Sequence, residues 1–441
     1  MMVGSIKYHV CGFFLVLVIY KSSVLANCAL TPYIGDFNRS RAGGAAAAED
    51  ATTVYTNPAG LSRLSGQHFS GVAQYYMTSA MFTDQGSRDA FGAALEGSDS
   101  DNGGVNTAVP AMYYSKQFSS QWVFGVGLNA PFGLSTQYDR QWVGRYTSVE
   151  TAIMSLNINP SLAYKLNKEW SVGMGLNLQR TQATLSRAID FAAVCLAYFA
   201  PNVCASMGMP APQSADGFVE MNTDDWGTGY NLGVLWSTNA TRAGFSYRSK
   251  VSYELKGEAD FTVPAQAAAF QSAFADTGVS IPLTLPEIIS LSIHHDWTEK
   301  FAIMADITHT RWSRLKQLEF NFDDPTQAQQ IKNKNWRDTQ RYALGFNYKI
   351  HPAWALQWGV AYEKSPIPEQ TYDPSIPVGD ILWLNVGTQY QLSRDLSLEM
   401  GLAHVHIKKR QVSQSGDFGE TLHGDTTTRL EVINTRLNWS F

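Results

Sequence analysis

The sequence contains few charged residues and no long hydrophobic run after its first 26 residues. Charged side chains make up 16% of the 441 residues, whereas soluble globular proteins carry about 25%. No later stretch approaches the roughly 18 to 20 consecutive apolar residues that a membrane-spanning helix requires. The net charge of −5 does not favour nucleic acid as a partner, and there is no ATP-binding motif. These absences argue against a helical membrane protein, a nucleic-acid-binding protein and an ATP-driven pump.

Cysteine is also scarce, with four residues in the chain. Cys11 lies in the N-terminal leader, and Cys28 follows that leader closely. Cys195 and Cys204 lie in one loop, so in an oxidising compartment a disulfide between them is the natural interpretation. No histidine lies near these cysteines at the spacing of metal ligands. We therefore expect neither a metal nor a cofactor.

Residues 1–26 have the pattern of a signal peptide. Lys7 precedes an apolar run from Val10 to Tyr20, and the small residues that follow end in the cleavage site Val24-Leu25-Ala26. Cys28 suggests a lipoprotein as the alternative, but Asn27 does not suit a lipoprotein signal. The sequence therefore predicts ordinary export.

Large apolar residues alternate with small or polar residues in many segments of the mature chain. Trp354, Leu356 and Trp358, for example, are separated by Ala355 and Gln357. A period of two residues is that of a β-strand with one apolar face. The same pattern occurs in the segments Trp122–Asn129, Val172–Leu178, Tyr230–Trp236 and Tyr342–Ile350. An all-β protein is therefore expected.

Alternation alone fits both a soluble β-sandwich and a transmembrane β-barrel, whose apolar face contacts lipid. Three features favour the barrel. Segments of about ten residues match tilted spanning strands, the opposite face is rich in Gly, Ala, Asn and Gln, and the chain ends on an alternating strand closed by Phe441. A terminal phenylalanine is the signal expected for the barrel assembly machinery of bacterial outer membranes. We therefore expect residues 65–441 to form a closed antiparallel barrel of about 14 strands, with short periplasmic turns and long extracellular loops that include residues 188–224 and 320–335.

Two regions do not follow the strand pattern. Residues 27–64 are rich in Gly and Ala and are placed to fold back into the barrel as a plug, or hatch. The segment from Phe191 to Met209 is unusually apolar for an external loop, and an exposed apolar surface of this kind requires an explanation.

Several short motifs follow one another between Arg39 and Phe441. They are Asn57-Pro58-Ala59, Pro131-Phe132-Gly133-Leu134-Ser135, Trp142-Val143-Gly144-Arg145-Tyr146, Asn157–Tyr164, Ser246–Val251, Leu285-Pro286-Glu287, Thr310–Ser313 and Trp383-Leu384. In this order and at this spacing they resemble the FadL/TodX family of outer-membrane transporters for long-chain fatty acids and other hydrophobic compounds. The resemblance implies a plugged barrel with an inward kink in the third strand, which opens the wall sideways. Here that strand is about Gln121 to Pro131, and Gly125, Gly127 and Pro131 are candidates for the interruption.

The resemblance also implies where a fatty acid carboxylate binds. Asn57 in the hatch and Arg187 match the family's carboxylate contacts, and arginine binds carboxylates bidentately. The alternative for Arg187 is a structural ion pair with Asp190 or with a hatch acid, Glu49 or Asp50. A further basic residue that the family has after Trp312 is absent, since Leu318-Glu319 occupy this region; Arg311 or Arg314 is the expected substitute unless the ligand is uncharged.

Apolar loop residues are candidates for the first contact with a ligand. Phe132, Leu134 and Trp142 lie in one such loop, and residues 191–209 form the other; the alternative is that these side chains only order the loops by packing together. Asn57-Pro58-Ala59 sets the conformation of the hatch, either as a mobile gate or as a static turn.

These observations predict passive, ligand-gated uptake of long-chain fatty acids by a barrel that is a monomer among outer-membrane lipid and lipopolysaccharide. Uptake of aromatic or aliphatic hydrocarbons is the alternative with the same fold. An outer-membrane lipase and a general porin are less favoured. A lipase needs a serine or aspartate beside a histidine, and neither His294-His295 nor His404-x-His406 can be assembled into such a site, so we expect no enzyme.

Overall fold

The computed structural model describes residues 42–441. The predictions for the signal peptide, for Cys28 and for the first part of the hatch fall outside these residues. The described chain is dominated by 21 antiparallel β-strands in one continuous order. They are β1 (Gln67–Asp84), β2 (Ser100–Asn102), β3 (Thr107–Gln117), β4 (Trp122–Asn129), β5 (Gly133–Gln137), β6 (Glu150–Lys165), β7 (Trp170–Asp190), β8 (Asp216–Ser237), β9 (Thr241–Arg248), β10 (Val251–Thr262), β11 (Thr277–Leu285), β12 (Ile288–Asp296), β13 (Phe301–Thr310), β14 (Gln317–Phe322), β15 (Gln330–Asn333), β16 (Thr339–His351), β17 (Trp354–Glu363), β18 (Ile381–Gln391), β19 (Leu396–Ile407), β20 (Arg410–Ser415) and β21 (Thr421–Ser440).

The sheet closes on itself because the first and last strands pair. β1 and β21 are hydrogen-bonded from His68 opposite Ser440 to Asp84 opposite Gly424. Some strands are consecutive segments of one wall strand, namely β4 with β5, β9 with β10 and β11 with β12. The result is a closed antiparallel barrel of 14 wall strands, as predicted.

In the strands whose alternation the sequence shows, the large apolar residues face outwards. In β17, Trp354 and Trp358 are 45% and 38% exposed, whereas Gln357 between them is fully buried. A soluble sandwich would show the reverse pattern, with the tryptophans in its core. The alternation thus marks the outer wall of a barrel. Behind these segments the interior is lined by small and polar side chains, whereas β10 and β11 turn Leu255, Ile281 and Leu283 inwards.

The two ends of the barrel differ in the length of their connections. At one end, which we call the short-turn end, β6 and β7 are joined by residues 166–169 and β18 and β19 by residues 392–395. At the other, the long-loop end, lie the helices α2 (Phe191–Tyr198) and α3 (Pro201–Ser206). Strands extend further towards this end than the sequence suggested: β7 and β8 continue to Asp190 and Asp216 inside the predicted loop 188–224. Apart from Phe218, the outward side chains of this part of β8 are polar, so the apolar outer face is lost although the ladder continues.

Residues 42–64, which we call the N-terminal segment, lie inside the barrel. They contain the short helix α1 (Thr53–Thr56) and a 3₁₀ turn, Pro58–Arg63. Four wall arginines on the three strands β9, β16 and β21 contact this segment: Arg242 donates to the carbonyl of Ala47 at 2.6 Å, Arg248 to that of Tyr55 at 2.9 Å, Arg341 to that of Ala42 at 2.8 Å, and Arg436 forms an ion pair with Asp50 at 3.2 Å. No helix within the described residues is long and apolar enough to span a membrane.

Wall glycines make room for the N-terminal segment. A Cβ atom at Gly173 would lie 2.4 Å from the backbone of Pro58 and Ala59, and one at Gly233 would lie 2.1 Å from Oδ1 of Asn57. A Cβ at Gly125 would lie 2.6 Å from Val54. These distances are far shorter than van der Waals contact, so the segment packs directly on the backbone of the wall.

Candidate functional site

A cavity, which we call the upper cavity, lies near the long-loop end of the barrel. Its apolar lining comes from neighbouring wall strands and one loop and includes Ile153, Leu185, Met221, Leu255, Ile281, Leu283, Leu318, Phe320 and Ile376.

One side of the upper cavity is cationic, because Arg187, Lys332 and Lys334 line it. Nη1 of Arg187 lies 2.6 Å from Oδ2 of Asp417, and Nζ of Lys334 lies 3.0 Å from Oδ2 of Asp373. Each of these two cations therefore has an acidic partner. Burial alone would raise the pKa of Asp373, but the neighbouring Lys334, Ser375 and Lys332 hold it below its ordinary value.

Lys332 differs from the other two cations because no carboxylate among residues 42–441 forms an ion pair with it. Burial lowers the pKa of Lys332 to about 8, and the adjacent positive charge of Arg187 acts in the same direction. The β14–β15 hairpin places this side chain: Lys332 pairs with Leu318 across the ladder, while the neighbouring Ile331 is 51% exposed on the other face. The upper cavity thus combines apolar walls with one unpaired ammonium group.

Lys332 lies on the partner strand of the hairpin, opposite Leu318, so the upper cavity has a cation although the sequence has no basic residue at Leu318-Glu319. The substitutes expected from the sequence lie elsewhere: Arg311 and Arg314 both form ion pairs with Glu287, at 2.9 and 2.6 Å. They bind an acid at the junction of β11 and β12, and their part in binding a carboxylate stays a prediction.

The two residues implied as carboxylate contacts are not brought together. Arg187 pairs with Val219 near the long-loop end of β8, whereas the amide of Asn57 donates to the carbonyl of Val234 near the opposite end of that strand. The predicted ion pair of Arg187 with Asp190, Glu49 or Asp50 was wrong. Asp190 instead caps α2, and the partner of Arg187 is Asp417.

Asn57-Pro58-Ala59 forms the start of the 3₁₀ turn in the N-terminal segment. Oδ1 of Asn57 accepts a hydrogen bond from the backbone N–H of Ala59 at 3.1 Å, and Nδ2 donates to the carbonyls of Val234 and Phe245 on the wall. The asparagine is 1% exposed. In this conformation it joins the segment to strands β8 and β9.

Phe132, Leu134 and Trp142 occupy three different environments. Phe132 projects into the barrel, with its ring centroid 6.1 Å from that of Trp312. Leu134 is half-buried on β5. Trp142 is fully buried and stacked on Tyr138 at 4.2 Å, so this conformation does not present it to a ligand outside.

The apolar loop 191–209 folds into α2 and α3, with the sulfur atoms of Cys195 and Cys204 at 2.09 Å. Phe191 is fully buried against Phe274. Three apolar side chains of the loop remain exposed, namely Tyr198 at 74%, Phe199 at 43% and Met207 at 40%. Packing therefore accounts for part of the apolar character of this loop, and an apolar surface remains.

The wall has an opening between β3 and β5. Residues 112–117 of β3 pair with β4, but residues 107–111 pair only with β1, and β5 pairs only with β6. An isolated bridge between Gly104 and Thr136 closes the opening on the long-loop side. Gly125 and Gly127, which the sequence suggested as sites of interruption, lie in the intact ladder instead. The break falls at residues 130–132, and Gly125 serves to admit the N-terminal segment.

One histidine of each pair noted in the sequence contacts an acidic residue. His404 faces outwards and lies 2.6 Å from Glu431, and His294 contacts Asp296. Among residues 42–441, no three His, Cys, Asp or Glu side chains are grouped as metal ligands.

Comparison with known proteins gives one consistent family. Residues 31–441 match the family described as outer membrane protein transport protein (OMPP1/FadL/TodX). The long-chain fatty acid transport protein of Escherichia coli K12 is 27% identical over 426 residues, covering 91% of each chain. The 47 kDa outer membrane protein of Pasteurella multocida is 31% identical over 386 residues, covering 86% of each chain.

Solved structures show the same fold. A FadL homologue from Pseudomonas aeruginosa superimposes with a TM-score of 0.85 at 21% identity, covering 94% of this chain and all of that one. The toluene transporter TodX of P. putida gives a TM-score of 0.66 at 17% identity over 89% and 94% of the two chains. Together with the closed barrel and its apolar outer face, these matches place the protein in the outer membrane, and the chain belongs to the OMPP1/FadL/TodX family of outer-membrane transport proteins.

Proposed function

We propose that this protein takes up long-chain fatty acids across the outer membrane by passive diffusion, with its long-loop end facing outwards. The observation that carries the proposal is the unpaired ammonium of Lys332 at the side of an apolar cavity. An amphiphile with one anionic head and one apolar tail satisfies both features. A sixteen-carbon tail gains about 0.8 kcal/mol per buried methylene, on the order of 10 kcal/mol before ordering costs.

The N-terminal segment is proposed to act as the hatch. Its contacts with four wall arginines and with wall glycines support a plug below the upper cavity, and Asn57 ties it to β8 and β9. The opening between β3 and β5 is the proposed exit, since an apolar tail can leave through it into lipid without crossing a polar lumen.

The exposed side chains of the α2–α3 loop are proposed as the first contact with the ligand. Tyr198, Phe199 and Met207 present apolar surface at the long-loop end. Apolar surface exposed in this way favours weak, non-directional binding of a fatty acid tail. Phe132 and Trp142 lie deeper, so they are proposed to contact the ligand only after it has passed the loops.

Replacing Lys332 with methionine tests the proposal. We expect oleate binding to purified protein in uncharged detergent to weaken about 10- to 100-fold, because hydrogen bonds to charged groups contribute about 1.5–3 kcal/mol. Binding of hexadecane should stay unchanged, since methionine preserves the apolar volume. The control is Lys256→Met, which removes an exposed lysine from the outer face of β10. Equal binding of oleate by the Lys332 variant and the unmodified protein, or saturable binding of toluene alone, would favour hydrocarbon transport instead.

The pKa of Lys332 predicts a pH dependence. Only the ammonium form attracts an anion, so binding is complete below the pKa of about 8 and is lost as pH rises through it. At one pH unit above the pKa about a tenth of the side chains stay protonated, so affinity for dodecyl sulfonate, which is ionised throughout, should fall about tenfold between pH 7 and pH 9. Lys332→Arg should remove this dependence because arginine stays charged. A profile that is the same in both proteins would contradict the assignment of Lys332.

A further inference from the structure

Arg187 lies between two cavities. It lines the upper cavity and also a second pocket, which we call the outer pocket. The lining of the outer pocket includes the apolar Phe91, Leu95 and Phe418, together with three carboxylates that accept hydrogen bonds from backbone N–H groups, those of Asp89, Asp190 and Glu420. A ligand that moves from the outer pocket to Lys332 must therefore pass the Arg187 side chain.

Between the two cavities, Arg187 forms an ion pair with Asp417. Asp417 lies in the turn between β20 and β21, where the N–H of Gly416 donates to the carbonyl of Glu420 at 2.7 Å. The side chain of Asp417 is 48% exposed, whereas that of Arg187 is 13% exposed. Nη2 of Arg187 also donates to Gln330, at 3.3 Å. The Asp417 carboxylate thus reaches the Arg187 guanidinium from the solvent side. The turn that carries Asp417 has its own contacts with the barrel wall.

We infer that Asp417 is an internal substitute for the ligand's carboxylate, holding Arg187 until an anionic head group from the outer pocket replaces it. The inference rests on the proposed function, because it describes how a fatty acid reaches Lys332. Asp417 presents to Arg187 the same chemical group as a fatty acid head. An incoming carboxylate therefore exchanges one for one with Asp417, and Asp417 moves into solvent, to which it is already half open.

This exchange explains how the charged head group of a fatty acid passes from the outer pocket to the upper cavity. A buried carboxylate or guanidinium without a partner is costly, and an exchange leaves neither group unpaired. Beyond Arg187 the ligand reaches Lys332, the one cation of the cluster that has no acidic partner among residues 42–441. An uncharged hydrocarbon cannot displace Asp417, so only an anionic ligand releases Arg187 from the ion pair.

Asp417→Asn tests the inference by the sign of its effect. If Asp417 competes with the ligand, its loss should tighten oleate binding about tenfold, within the usual range of coupling between sites, and should speed oleate association. Hexadecanol affinity should not change, because the alcohol does not compete for Arg187. Asp417→Glu should restore ordinary oleate binding. Glu258→Gln, which removes an exposed acid from the outer face of β10, controls for the change in net charge.

Other outcomes overturn the inference in different ways. Weaker oleate binding in Asp417→Asn, as in Arg187→Ala, would mean that Asp417 only orients the arginine. Unchanged oleate affinity and association rate would place the ion pair outside the ligand's route. Failure of the unmodified protein to bind oleate would contradict the proposed function itself, so the two failures are distinguishable.

Discussion

Gly173→Ala is expected to displace the N-terminal segment from its position in the lumen and so to let ions pass through the barrel. The added Cβ would lie 2.4 Å from Pro58 C and Ala59 N. These are backbone atoms, so they cannot yield by a rotamer change. Overpacking of this kind costs about 1–3 kcal/mol, which shifts a two-state equilibrium by about 5- to 150-fold. We expect frequent open-channel currents in planar bilayers where the unmodified protein shows few.

A matched control separates unseating from general damage. Gly71→Ala adds the same methyl group to β1, where the nearest atom is 3.3 Å away on the ring of Phe69. This variant should keep the low conductance of the unmodified protein. Gly233→Ala, whose Cβ meets Asn57 and Pro58, provides a second variant if Gly173→Ala assembles poorly. Low conductance in Gly173→Ala and Gly233→Ala, when both are correctly assembled, would show that residues 42–64 do not plug the lumen.

The barrel was predictable from the sequence because lipid imposes a strict rule on each strand. The spacing of Trp354, Leu356 and Trp358 puts them on one face of the strand, and the segment length and the polar opposite face assign that face to lipid. Outside the lipid this rule no longer applies. The strands β7 and β8 consequently continue into a segment that the sequence suggested was a loop.

The candidate site was less predictable because it depends on contacts between distant parts of the chain. Lys332 lies in the predicted loop 320–335, and only the pairing of β14 with β15 brings it into the upper cavity. Asp417 is 230 residues from Arg187. A local signal was available for the wall opening, however, since prolines stand on both of its edges, Pro110 on β3 and Pro131 beside β5.

Closing the opening between β3 and β5 is expected to stop uptake while leaving ligand binding intact. Asn129 pairs with Asn157 and Gly133 with Met154, so residues 130–132 face only residues 155–156 and one residue is extra. This arrangement is a β-bulge. Ser155 holds it, since its hydroxyl accepts from the N–H of Phe132 and donates to the carbonyl of that residue, both at 2.8 Å.

Deletion of Pro131 combined with Pro110→Val removes the extra residue and restores an N–H donor on β3. The ladder between β3 and β5 can then form, with hydrogen bonds that each contribute about 1 kcal/mol net. Opening the wall would require several of them to break, and each 1.4 kcal/mol slows passage tenfold. Oleate uptake by cells that depend on this protein should therefore fall at least about tenfold, whereas the purified variant should bind oleate with unchanged affinity.

The control for this double change is Pro282→Val, which alters an exposed proline on β11 away from the opening. Uptake in this variant should match that of the unmodified protein.

Full uptake with a closed wall would mean that the ligand leaves past the N-terminal segment towards the short-turn end. Gly173→Ala would then raise the uptake of oleate together with the ion conductance, whereas an exit through the wall predicts that conductance rises alone. Measuring both quantities in the two variants therefore distinguishes the routes, because a fatty acid leaving sideways does not require the lumen below it to open to ions.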